Sequence, residues 1–133
     1  MVFSPPLALQ LHLLNTPTRV YDSRTHDGPL GTDQSRNITV TGWYDGIEVP
    51  LGIRAVLCDL TAVAPSGAGF LVMLEPGAGY AGTSNLNFSA GQSISNNVTC
   101  GVLGYPWFSN SWVWVANFGA PTNLIVDVFG YYE

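Results

Sequence analysis

Turn-forming phrases recur along this chain every dozen residues or so: "DGPLG", "GWYDG", "APSGAG", "EPGAGYAG", "SAG", "GYPW" and "FGAP". Between them lie short runs rich in Val, Ile, Thr, Phe, Tyr and Trp. No window carries an apolar 3-4 stripe long enough for a helix, and 15 glycines with 9 prolines would interrupt most candidates. Short strands at this spacing build an all-β sandwich or barrel. The spacing predicts strands near 7–14, 18–23, 36–43, 52–63, 69–75, 84–88, 93–102, 111–118 and 123–132. The expected architecture is an antiparallel β-sandwich, jelly-roll-like, of eight or nine short strands with an extended N-terminal arm. At 133 residues the chain forms one domain, long enough to bury roughly two-thirds of its unfolded surface.

The last run, "NLIVDVFGYY", alternates Leu124, Val126 and Val128 with Ile125, Asp127, Phe129 and Tyr131. Both faces are apolar, so the strand is expected in the middle of a sheet, which sets Asp127 in a mostly buried row. Asp59 in "VLCDLTAV" has the same setting. A buried carboxylate is costly unless paired and hydrogen-bonded. The chain has no lysine and only four arginines; the guanidinium fork fits a carboxylate on two oxygens. Arg19, Asp22 and Arg24 in "RVYDSRTHDGPLG" are therefore read as internal clamps that tie an early strand to Asp127 or Asp59. The competing reading is a catalytic or metal cluster of Asp22, His26, Asp27 and Asp33. Their spacing fits no EF-hand loop or zinc pattern, and His26 to Gly31 read as an exposed loop.

Charged residues are 10% of the chain and the net charge is −5. An acidic, lysine-free surface repels phosphate, so no nucleic-acid partner is expected. No apolar run reaches the ~20 residues of a membrane helix. Residues 1–17, "MVFSPPLALQLHLLNTP", lack the early basic residue, unbroken apolar centre and small-residue cleavage site of a signal peptide. Leu7, Leu9, Leu11 and Leu13 instead share one side of an extended segment. Residues 1–17 are expected to be a docking arm and residues 18–133 the β-sandwich. Cys58 and Cys100 lie inside apolar runs and read as buried free thiols rather than a bridge.

Nothing selects a reaction. There is no G-x-S-x-G; "APSGAG" reads as a turn. His12 and His26, the only histidines, have no indicated nucleophile, and Asp45 and Glu48 flank a solvated "DGI" turn. No catalytic residue, cofactor or metal is expected. "GYPWFSNSWVWVANF" offers a binding surface: Tyr105, Trp107 and Phe108 flank Pro106, either as a subunit interface or as a platform for sugars. Trp112 and Trp114 alternate with Val113 and Val115, as in a strand buried on both faces. Three Asn-x-Ser/Thr triplets, at Asn37, Asn87 and Asn97, carry no weight in a chain so rich in these residues.

"RVYDSR", "VPLGIRAVLCDLTAVAPSGAGFLVML", "SNLNFSAGQSISN" and "LIVDVFGYY" together resemble, in order and spacing, a β-domain that recurs in actinobacteria. That domain occurs in secreted and cell-wall proteins and in virion proteins of actinobacteriophages. The resemblance spans about Arg19 to Tyr132. It departs at Cys58-Asp59, where the family has Leu-Asn, and at Cys100, where it has an aliphatic residue. It implies no activity. With the unexported arm, it implies a non-enzymatic structural protein of a phage virion, assembled in the host cytoplasm. The role expected is head decoration, as a homotrimer on the major capsid protein. The alternatives are a secreted or virion-borne carbohydrate-binding module facing a cell-surface glycan, or a minor tail protein.

Overall fold

A computed structural model describes residues 8–133. These form ten strands: β1 (Leu11–Asp22), β2 (Ser35–Thr39), β3 (Gly42–Tyr44), β4 (Ile47–Val49), β5 (Ala55–Val63), β6 (Gly69–Leu74), β7 (Leu86–Phe88), β8 (Ile94–Gly101), β9 (Trp112–Asn117) and β10 (Asn123–Tyr132). Two four-stranded sheets, ordered β1-β10-β5-β8 and β2-β9-β6-β7, face each other beside a β3-β4 hairpin. The expected all-β sandwich is what the chain forms. Its antiparallel pairs are nested: β1 with β10, β2 with β9, β5 with β8, β6 with β7.

Alternation dictates the core. Along β5, Val56, Cys58, Leu60 and Ala62 are buried while Leu57, Asp59, Thr61 and Val63 are half-buried. Leu124, Val126 and Val128 of β10 join them, facing Leu71 and Met73 of β6 and Val113 and Val115 of β9. A slip of one residue in either sheet would exchange these rows for the outer ones, so the pattern fixes the register. Truncating a residue such as Leu60 to Ala removes about 2–5 kcal/mol.

The strands depart from the expected pattern in three places. The run 36–43 divides into β2 and β3, because Gly42 takes a positive φ of 128°. At Asp45 and Gly46, φ values of 51° and 80° close the β3-β4 hairpin, as the two left-handed positions of a tight hairpin turn require. In β10 the register shifts between Val128 and Gly130. A bulge adds one residue and reverses the side-chain alternation beyond it. Tyr131 is therefore packed against the core rather than sharing the Asp127 face, with His12 stacked on its ring at 5.1 Å.

The arm is not separate from the sandwich. Leu11, His12 and Leu13 pair with Tyr132, Tyr131 and Gly130, and Gln10 exchanges backbone hydrogen bonds with Glu133. A register shift between Leu13 and Thr18 lets Leu14 pack on the core before pairing resumes. β1 is thus one strand crossing the expected boundary at residue 17. Leu7 lies outside the described residues.

Candidate functional site

The "RVYDSRTHDGP" stretch brings β1 to its end and turns into the next loop. Arg19 sits opposite Asp127 and holds it with two hydrogen bonds, Nε to Oδ1 at 2.9 Å and Nη2 to Oδ2 at 3.3 Å. Arg24 does not cross to another strand. It folds back on Asp22, with Nε to Oδ1 at 3.0 Å and Nη2 to Oδ2 at 2.9 Å, and its backbone N–H donates to Oδ1 as well. The Arg24 guanidinium is the main cause holding the Asp22 carboxyl below its ordinary range. Asp59 lies directly across from Asp127 but joins no ion pair among the described residues.

These pairs are not internal. The Arg19 side chain is 51% exposed, because the Asp127 row is the outer face of a two-layer sandwich and no third layer covers it. An exposed pair of this kind contributes about 0–1 kcal/mol.

The buried clamp of the motif is Ser23, between the two charged residues. It is fully buried; its hydroxyl donates to Asn123 Oδ1 and accepts from the Leu124 backbone, both at 2.9 Å. Arg36, on β2, fastens the loop beyond it. Its guanidinium donates to the carbonyls of Asp27, Gly28 and Pro29 and to the Tyr21 hydroxyl. Tyr21 in turn donates to Asp27 Oδ2 at 3.0 Å. The one cue in the sequence was that Arg36 follows the Asp27-Gly28-Pro29 turn closely; carbonyl partners leave no mark in residue types. An open cavity of about 630 Å³ lies against Tyr21, Asp22, His26, Asp27 and Tyr44. His26 is exposed; its ring hydrogen-bonds to Thr25, Nδ1 lying 3.0 Å from Oγ1. Among the described residues, no three His, Cys, Asp or Glu side chains are placed to hold a metal ion.

The expected docking residues gather at the other end of the sandwich. Leu11, Tyr132, Ala55 and Gly101 form one row across the β1-β10-β5-β8 sheet. Gly101 leads into the loop carrying Tyr105, Trp107 and Phe108. Thr41 accepts a hydrogen bond from Ser111 N and so ties the approach to β3 to the same end. Among the described residues the exposed large apolar side chains at or beside this end are Leu9, Leu11, Leu13, Leu51, Tyr105, Trp107 and Phe108; Trp43 lies on the β3-β4 hairpin and Tyr80 stacks on Phe118. Leu11 and Leu13 lie over Gly130, where an added Cβ would come within 3.7 and 3.2 Å of them. Trp112 and Trp114 are half-buried on an outer face, not enclosed, while Val113 and Val115 are fully buried.

Cys58 and Cys100 are free and buried, and burial pushes each thiol up to about 12. Cys58 Sγ contacts Met73 Sδ at 3.6 Å and Val98 O at 3.4 Å. No family model matches the chain, and neither curated proteins nor solved structures yield a match.

Proposed function

We propose that the protein is a non-enzymatic structural component of a phage virion, a head decoration protein that docks on the major capsid protein as a homotrimer. The observation that carries this reading is the polarity of the sandwich. One end holds most of the exposed large apolar side chains among the described residues, while the opposite end carries the charged and polar Asp22–Asp27 turn and the Asn117-anchored loops. Monomeric proteins rarely leave contiguous apolar patches uncovered, and such patches mark protein contacts.

β1 is an edge strand of its sheet. Its Leu11 and Leu13, 45% and 66% exposed, lie on a backbone already ordered by β10, and Leu9, 53% exposed, directly precedes the strand. A neighbour that packs on this row, or adds a strand beside it, therefore meets a formed surface and not a loose tail. Light scattering on the intact, untagged protein tests the assembly. The expected mass is three times the 14.2 kDa of one chain; a stable monomer at working concentration overturns the trimer.

A further inference from the structure

We infer that the groove between Gly52–Arg54 and the Val102–Trp107 segment binds an acidic saccharide. It lies at the apolar end and shares Tyr105 and Trp107 with the exposed patch there, but uses none of the leucines flanking and within β1, so ring and arginine variants separate its test from the leucine test of capsid docking. It also deepens the sugar-platform alternative for the aromatic loop by adding a cation to it.

The rings are displayed on a fixed support. Trp107 is 81% exposed and Tyr105 51%, yet the loop beneath them is closely bonded. Trp107 N and Phe108 N both donate to Gly104 O, at 2.9 and 3.1 Å, and Tyr105 N donates to Ser111 Oγ at 3.2 Å. Leu103 and Trp112 exchange two backbone hydrogen bonds at the loop's base. Gly104 is needed for this closure, since a Cβ there would overlap Asn110 O and the Ser111 backbone. Phe108 braces the loop edge-on against Trp112, with ring centroids 4.8 Å apart. Rings held this way are ordered before any ligand arrives, which lowers the entropic cost of binding.

Arg54 supplies the charge. Its backbone is fixed by Arg54 N to Tyr132 O at 2.8 Å and Val102 N to Arg54 O at 3.1 Å. Among the described residues Arg19 and Arg24 are paired with carboxylates and Arg36 is occupied by carbonyls, but no carboxylate lies within ion-pair distance of Arg54. The groove, about 470 Å³, is lined by Arg54, Tyr105, Trp107 and apolar or glycine residues, with no acid. Two further cavities, against the Tyr21–Asp27 loop and against Arg19, both contain aspartates. In a chain of net charge −5, this groove offers an anion a cation without a carboxylate beside it.

The volume suits a small ligand. An indole face takes the C–H face of a pyranose, and a guanidinium fork takes a carboxylate on two oxygens. A uronate sugar carries both groups on one ring.

Native gel electrophoresis of the intact protein through polygalacturonate, with amylose as the neutral control, tests the assignment. Polygalacturonate should retard the wild type and amylose should not. Trp107→Ala and, as a second ring variant, Tyr105→Ala should weaken binding about tenfold or more, and Arg54→Gln likewise, the loss expected for a charge-assisted contact. All three side chains are exposed, and an unchanged melting temperature checks that the variants are folded. No retardation of the wild type, equal retardation by amylose, or retardation unaltered in all three variants would each overturn the inference.

Discussion

Asn117 is fully buried at the end of β9, and its side chain holds three backbone groups of the polar end. Nδ2 donates to Leu30 O at 3.0 Å and to Ala120 O at 2.9 Å, and Oδ1 accepts from Gly119 N at 2.9 Å. Leu30 O keeps a second donor, Thr122 N at 3.1 Å, when the side chain is removed. Ala120 O and Gly119 N lose the partner they have. Both groups are half-buried, so each is set at about 1.5 kcal/mol, in the lower half of the ~1–3 kcal/mol for an unsatisfied buried group, and the loss for Asn117→Ala at about 3 kcal/mol. With an m-value of about 2 kcal/mol per molar urea, that loss lowers the unfolding midpoint by about 1.5 M at unchanged slope. Exposed Asn87, for which no side-chain hydrogen bond is present, is the control; Asn87→Ala should stay within ~0.5 kcal/mol. A loss under about 1 kcal/mol at Asn117 would refute the claim that its side chain organises this end.

Arg36→Met should release the 27–29 loop at a cost of about 1 kcal/mol, since of its carbonyl partners only Gly28 O is half-buried and the others can turn to water, with hydrogen exchange accelerating at Gly28 and its neighbours and not in β10. Asp22 has a folded pKa below its ordinary 3.8. Its contribution is therefore complete above that value and is lost as pH falls through the folded pKa. Urea midpoints measured from pH 6 down to pH 2 should fall less steeply for Asp22→Asn than for the wild type. Cys58 and Cys100, with thiols pushed up to about 12, should resist a thiol reagent at pH 8 and react together, two per chain, once urea unfolds the protein; rapid labelling of the folded chain would contradict their burial.

Much of the fold was legible because alternation is a local signal. β10 could be placed to the residue and β5 to within three, and the alternation of Leu124, Val126 and Val128 with Ile125 and Asp127 was readable from parity, although which row faced the core was not. What was not legible depended on things that residue types do not encode. The bulge at Phe129-Gly130 reverses parity for Tyr131, and three-residue strands such as β3 and β4 are too short to show a period. The outer faces of both sheets were overrated as buried. Phe129, Trp112 and Trp114 are as apolar as core residues yet only half-buried, and a chain in isolation does not reveal that only two layers exist. For the site, Arg19–Asp127 was readable from charge scarcity. Ser23 and Arg36 were not, since their partners are mainly backbone atoms and an amide brought near by folding. Arg54 was left over in the sequence, and its place beside Trp107 depends on the pairing of β5 with β8.

The most direct test of the docking account is co-sedimentation of the intact protein with undecorated phage heads built from the major capsid protein proposed as its partner. It should compare the wild type with the triple variant Leu9→Thr, Leu11→Thr, Leu13→Thr. Threonine keeps the strand propensity of β1 while removing its apolar row, and an unchanged melting temperature confirms that β1 still pairs with β10. The account predicts saturable binding of the wild type at a fixed number of trimers per head, and its loss in the folded variant. Absence of wild-type binding to heads would contradict the decoration role. Full binding by the variant would contradict the role given to the leucine row.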